Sequence, residues 1–295
     1  MAAMISNQCI CGANMEKQPF SEHFDVMLCP LCATQRFTPI PGLPRREFSY
    51  NAFSQKYCEQ SYLYGRELRW SHQQLLKFDW RERRTLEIGC FNGFFVSELL
   101  RLGADAHGVE LNEQALQVGR DTFGLVGRLH ATLELALDHG PFDDLLCIDM
   151  VEHLEDPHSF LTRVSTLLRP IGRIFLAGPT VERRFFDKTD YPPHHQWRFS
   201  RPGLAHLLER SGFSLQSQFV QHDGMLLLRN LIGKVLNGPT KKEFYGEISV
   251  ASPSTEKGLA GVAYKALSKM GTAAFTLLRI PYCSAVFVAQ RRTPT

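Results

Sequence analysis

Between Thr85 and Phe95 the chain reads Thr-Leu-Glu-Ile-Gly-Cys-Phe-Asn-Gly-Phe-Phe. An apolar strand runs into a glycine turn and out into a helix. Glycines belong there because a side chain would hold a ligand off the backbone, or could not adopt the backbone angles. The same rhythm repeats downstream. Strands are expected at Arg84–Gly89, Ala106–Glu110, Leu129–Thr132, Leu145–Asp149, Arg173–Ala177, Phe213–Phe219 and Ser284–Gln290. Helices are expected at Asn92–Leu102, Glu113–Phe123, Pro157–Leu168 and Pro202–Ser211. Such alternation predicts an α/β fold, a parallel, doubly wound sheet with helices on both faces. Ligands of such sheets sit at the carboxyl ends of the strands, near the switch in strand order.

Glu110 lies 21 residues beyond Gly89, at the end of the second strand, where an acid can accept both hydroxyls of a ribose. A dinucleotide fingerprint would place three glycines as G-x-G-x-x-G. Here the spacing is Glu87-x-Gly89-x-x-x-Gly93. An acid inside the first strand repels a pyrophosphate and suits a positively charged ligand.

In these residues the chain resembles the class I S-adenosylmethionine-dependent methyltransferases. The resemblance implies a Rossmann-like doubly wound sheet of seven strands, mostly parallel with an antiparallel last strand, and S-adenosyl-L-methionine as cofactor. It places Glu87, Gly89, Cys90 and Gly93 at the first turn, with Glu87 near the methionine amino group, and Glu110 and Leu111 at the ribose. Thr132 and Leu133 fall near the adenine, and Asp149 and Met150 end the fourth strand beside the donor. Phe91 stands where the family has its middle glycine; Asn92 beside it tolerates unusual backbone angles.

The run Asp149-Met150-Val151-Glu152-His153-Leu154-Glu155-Asp156-Pro157 resembles the ubiquinone-biosynthesis-like methyltransferase group, whose Glu-His pair borders the reaction centre. Tyr191-Pro192-Pro193-His194-His195-Gln196-Trp197-Arg198-Phe199-Ser200 resembles that group's loop after the fifth strand, with Ser200 as a helix N-cap. The implied catalytic residues are Glu152, His153, His194 and His195. Three readings stay open. A histidine takes or orients the proton of a substrate hydroxyl. Or Asp149, Glu152, His153 and one of His194 and His195 bind a divalent ion such as Mg2+, which lowers the hydroxyl's pKa. Or Glu152 and His153 only shape the pocket and cap the next helix.

Four of the eight cysteines fall in the first 32 residues, as Cys9-Ile10-Cys11 and Cys29-Pro30-Leu31-Cys32. Paired cysteines at such spacing signal a four-thiolate zinc ribbon, and some methyltransferases of this group carry one. The predicted ligands of a structural Zn2+ are Cys9, Cys11, Cys29 and Cys32. Only one residue separates the first pair, so His23 stands as a substitute ligand. The remaining cysteines are scattered, as in a cytoplasmic chain rather than a disulfide framework.

The expected organisation is a zinc-ribbon-like module and linker at 1–48, then a methyltransferase domain at 49–295. Tyr57, Tyr62, Tyr64 and Trp70 precede the first strand as a lid or as packing. Residues 225–281 break the rhythm as a helical insertion before the last strand. Its apolar stripe, with Lys265 and Lys269 opposite, reads as core, lid, dimer contact or membrane-surface helix. No segment has the roughly 18 consecutive apolar residues of a membrane span, and no leader is visible. A net charge of +3 gives no argument for nucleic acid. The expectation is methyl transfer to a small molecule, most simply a hydroxyl of a sugar, polyol or lipid-linked intermediate. The rivals are a noncatalytic binding or assembly protein of the same fold and a nucleotide-dependent oxidoreductase of the same sheet type, which the glycine spacing disfavours. Oligomeric state cannot be read from the sequence.

Overall fold

The computed structural model describes residues 7–41, 63–182, 190–192, 194–221 and 284–293. Tyr57, Tyr62 and the 225–281 insertion lie outside these residues, as does the expected domain boundary at 48–49.

The chain begins with an antiparallel ribbon of β1 (Glu16–Pro19), β2 (Phe24–Leu28) and β3 (Gln35–Pro39). The cysteine pairs occupy the turn before β1 and the turn between β2 and β3. After α1 (Trp70–Leu75) the alternation begins, with β4 (Arg84–Ile88), α2 (Phe94–Arg101), β5 (Asp105–Val109) and α3 (Glu113–Phe123). It continues through β6 (Leu129–His130), α4 (Leu133–Ala136), β7 (Phe142–Ile148), α5 (Pro157–Ser165) and β8 (Leu168–Pro179). The two-residue β9 (Trp197–Arg198), α6 (Arg201–Arg210), β10 (Phe213–Val220) and β11 (Ser284–Arg291) complete the described chain.

The main sheet has seven strands in the order β10-β11-β8-β7-β4-β5-β6. Strands β8, β7, β4, β5 and β6 are parallel, and β11 runs antiparallel to both its neighbours. The order reverses between β4 and β7, so the ends of these two strands flank the crevice where such sheets take ligands. Both faces are covered. Leu145 and Cys147 of β7 pack with Leu161 of α5 and Leu207 of α6. Leu146 and Ile148 pack with Leu99 of α2 and Trp80. Parallel strands buried on both sides read as continuous apolar runs, as β7 does.

Helix starts follow local chemistry. Asn112 accepts the amides of Gln114 and Ala115, and Asp156 accepts that of Ser159 ahead of Pro157. Ser200 accepts that of Gly203 with Pro202 in the first turn. These are ordinary N-caps. Near the amino end of β7, buried Asp144 is gripped by Arg83 and Arg173, with bonds of 2.9 Å from Arg83 Nη2 and 2.7 Å from Arg173 Nε.

The ribbon is not a detached appendage. Strand β9 joins its sheet as a fourth strand, pairing Gln35 with Arg198 and Arg36 with Trp197. Buried Thr34 and Ser200 hydroxyls lie 3.1 Å apart, and Arg210 donates to the Ile10 carbonyl at 2.9 Å. Cys9, Ile10, Met27 and Cys29 share one apolar cluster with α5 and α6.

Candidate active site

The first turn folds as its glycines require. Gly89 and Gly93 have φ of +81° and +71°. A Cβ on Gly89 would stand 3.3 Å from Met150 Cγ, and one on Gly93 would come within 2.7 Å of Leu125 Cδ1. The expectation that Asn92 absorbs the missing middle glycine is corrected, because Phe91 itself sits at φ +50°. Two left-handed residues delay α2 to Phe94. Asn92 does different work. Its side-chain amide donates to the Leu63 and Gly65 carbonyls at 2.8 and 2.9 Å, tying the preceding segment to the turn.

Glu110 is buried at the end of β5. One carboxylate oxygen accepts the Phe91 amide at 3.1 Å, and the other accepts the Asn112 amide at 2.9 Å. The second acid is thereby locked against the glycine turn. Glu87 is buried in β4, and its Oε2 has no hydrogen-bond partner among the described residues. Burial, reinforced by the charge of Glu110, pushes its carboxyl up to about 8. Cys90 turns its thiol inward against Gly108, where a Cβ would meet Sγ at 2.5 Å. Only its backbone is left to face a ligand. Leu111 beside Glu110 is 68% exposed, an unusual placing for leucine and a ready apolar surface. Thr132 is the N-cap residue of α4, and Leu133 opens that helix after the short β6.

Asp149 follows β7 in the left-handed region, at φ +49°. Its side chain is ion-paired to Arg69, which precedes α1. No sequence signal marks Arg69. Trp70 packs partly against the core and Tyr64 is exposed, so neither stands out as a cofactor contact.

Across the crevice, Glu152, His153 and His195 bring one donor atom each to within 4.8 Å of one another. The His153 Nδ1–H donates to the His194 carbonyl at 2.7 Å. The His153 and His195 rings meet edge to face at 4.7 Å. Burial lowers the pKa of His153, against the opposing pull of the His194 carbonyl. Glu152 Oε2 is buried without a partner among the described residues, and burial with the Asp149 charge raises its pKa far above the usual range. Of the expected divalent-ion set, then, Asp149 is drawn to Arg69, and His194 contributes its carbonyl. One carboxyl and two imidazoles is a nitrogen-rich group, unlike the oxygen shell that Mg2+ demands.

The loop carrying these histidines is held from the ribbon side. Gln196 donates to the Glu152 carbonyl at 2.9 Å, and its own carbonyl accepts the Phe37 amide at 2.8 Å. Tyr191 stacks on Phe20 at 5.4 Å. No local pattern in the chain announces this grip, since residues 37 and 196 meet only through the fold.

All four ribbon cysteines converge, with Sγ atoms within 4.8 Å. Cys9 and Cys32 are 3.5 Å apart, and Cys11 and Cys29 are 3.4 Å apart. Zinc–sulfur bonds of about 2.3 Å at tetrahedral angles place sulfurs roughly 3.8 Å apart, so the residues fit a structural zinc. The Cys32 amide points at Cys29 Sγ at 3.4 Å. Burial raises the Cys29 thiol, but hydrogen bonds from the Cys32 amide and the neighbouring thiols outweigh it and bring it down to about 7. The His23 substitute is not needed.

Residues 60–218 match a family model described as a methyltransferase domain. The chain belongs to that family. The chain is 35% identical over 123 residues to the ubiquinone biosynthesis O-methyltransferase of Aromatoleum aromaticum, 37% of this chain and 52% of that protein. It is 27% identical over 162 residues to the enzyme of the same description from Acinetobacter baumannii, 48% of this chain and 67% of that one. The chain thus spans about half to two thirds of these curated relatives. Among solved structures, phosphoethanolamine N-methyltransferase 2 of Haemonchus contortus aligns at 13% identity over 94% of this chain and 71% of that one, with a TM-score of 0.49. No helix among the described residues is long and apolar enough to cross a membrane.

Proposed function

We propose that this methyltransferase-domain protein is an S-adenosyl-L-methionine-dependent O-methyltransferase acting on a hydroxyl of a small molecule. The observation that carries the reading is Glu110, buried and anchored by two backbone amides opposite a glycine turn. Such an acid can bind a ribose without reorganising. Glu87, Leu111 and Met150 would complete the donor site, with Thr132 and Leu133 toward the adenine. A cationic ammonium and sulfonium suit a crevice that holds Glu87 and Glu110 and in which Arg69 is paired with Asp149.

The acceptor side would be Glu152, His153 and His195. Because His153 Nδ1 donates to a carbonyl, its Nε2 is left as the acceptor nitrogen. Burial keeps the ring neutral near pH 7. It is suited to take a hydroxyl proton as oxygen attacks the methyl carbon. Methyl transfer itself is an in-line displacement in which positioning supplies most of the acceleration. The name of the relatives supports an oxygen acceptor. A hydroxyl on a quinone precursor, or on the sugar, polyol or lipid-linked compounds expected above, fits this reading.

The test is calorimetric titration with S-adenosylhomocysteine, followed by a panel of hydroxylated acceptors. Wild type should bind at micromolar concentration, and Glu110→Ala should weaken binding at least tenfold. Wild-type protein that is folded, zinc-loaded and unable to bind would refute the donor site and favour a noncatalytic scaffold.

A further inference from the structure

Away from the crevice, three histidines meet where β5, β6 and the one-turn helix Leu137–His139 come together. His107 lies within β5, His130 ends β6, and His139 ends the turn. His107 Nδ1 and His130 Nε2 are 3.1 Å apart. The His139 ring lies 4.2 Å from His107 and 4.8 Å from His130, centroid to centroid. His107 and His130 are buried, and His139 is half-exposed. One nitrogen from each comes within 4.8 Å of the others. Neither the donor site nor the acceptor site uses them.

Three imidazoles this close, with one nitrogen from each within 4.8 Å of the others, form a ready set of nitrogen donors for one ion. We propose that His107, His130 and His139 bind a divalent transition-metal ion of the zinc class, leaving one position toward solvent at the His139 side. Zinc–nitrogen bonds of about 2.0–2.1 Å at tetrahedral angles place neighbouring nitrogens roughly 3.4 Å apart, close to the 3.1 Å between His107 Nδ1 and His130 Nε2. Imidazoles alone favour zinc, nickel, cobalt or copper over magnesium or calcium.

The surroundings supply the supporting carboxylate. If His107 Nδ1 faces the ion, Nε2 must hold the proton. Asp105 Oδ1 stands 3.6 Å from that nitrogen, just outside hydrogen-bond reach, so it must close in to back the ligating ring. Arg128, which pairs with the same carboxylate oxygen, must then give up its contact with Nε2. Without an ion the group is also satisfied. Arg128 Nη1 donates to His107 Nε2 at 3.1 Å, and His107 Nδ1–H then donates to His130. Metal and proton thus compete for one nitrogen.

The ion would clip the sheet edge. Strand β6 has two residues, and the His130 carbonyl receives the Glu110 amide at 3.0 Å. The test uses the full-length protein, loaded with excess cobalt(II) or zinc, freed of loose metal and assayed by elemental mass spectrometry. Cobalt absorption separates thiolate from imidazole ligation. Wild type should retain at least two equivalents, one with thiolate charge-transfer bands and one without. His139→Ala, a change at a half-exposed turn, should retain one equivalent fewer and keep the thiolate bands. Wild type retaining only the thiolate-bound equivalent would overturn the proposal, whatever the variant does. So would a His139→Ala protein with unchanged metal content. Loss of the non-thiolate equivalent in His153→Ala but not in His139→Ala would place it at the acceptor cluster and likewise overturn it.

Discussion

Glu87 should release a proton when the donor binds. Its carboxyl, raised to about 8 by burial and the Glu110 charge, is roughly 90% protonated in the empty protein at pH 7. An ammonium brought beside it favours the charged form, so its pKa falls in the complex. Binding of S-adenosylhomocysteine at pH 7 should then release close to 0.9 proton per site, as about that fraction starts out protonated. Affinity should climb up to tenfold per pH unit, levelling off above about pH 8. Calorimetry in two buffers of different ionisation enthalpy measures the release directly. Glu87→Gln should abolish it. The same residue has a signature in the empty protein. A raised carboxyl contributes stability that is fully present below its unfolded value, near 4.5, and is lost as pH rises through about 8. At pH 7 the loss is roughly 3 kcal/mol, from about 1.4 kcal/mol per pKa unit. The stability of Glu87→Gln relative to wild type should therefore improve steadily between those two values. Absence of proton release in wild type, or equal release in the variant, would refute the reasoning.

Three further outcomes are expected. Asp144→Ala removes a buried carboxylate and leaves Arg83 and Arg173, whose side chains are 32% and 26% exposed, facing each other, and should cost about 2–3 kcal/mol in chemical denaturation. The lowered pKa of His153 keeps it neutral to lower pH, so the acid limb of kcat/KM should fall below the ordinary histidine value of about 6.5. A limb above that value would remove His153 as the base. A Cβ on Gly203 would stand 1.9 Å from Thr34 Oγ1, so Gly203→Ala should destabilise the protein by about 2 kcal/mol, as overpacked sites do. Adding Thr34→Ala should return part of that, measured by thermal unfolding.

The strand-and-helix rhythm was readable because both periods and caps are local. Gly89, Gly93, Asn112, Asp156 and Ser200 each act within a few residues of themselves. Boundaries slipped where a local conflict intervened. Positive φ at Phe91 and Gly93 shortened α2 at its start, and Thr132 turned the end of β6 into a helix cap. β8 extends from Leu168 to Pro179, well beyond the expected Arg173–Ala177, and begins where α5 was expected to end. At the site, the acids and histidines were visible as motif positions, but their neighbours were not. Arg69 with Asp149, and Gln196 with Glu152 and Phe37, meet through tertiary packing with no pattern in the chain to announce it. The three-histidine cluster was missed for the same reason. His107, His130 and His139 sit on separate elements at a spacing no metal motif uses.

The fourth strand of the ribbon imposes an order of assembly. Residues 7–41 leave the ribosome before the rest of the described residues and can gather their cysteines early. Their sheet nevertheless stays open at β3 until Trp197 and Arg198 have been made and carried back. Closing so long a loop is entropically slow, and it comes late in synthesis. Until then the nascent chain presents an unpaired strand edge, a template for pairing with other chains. The same closure draws the His194–Gln196 backbone into place, so the acceptor side of the crevice matures only once the ribbon has gained its fourth strand.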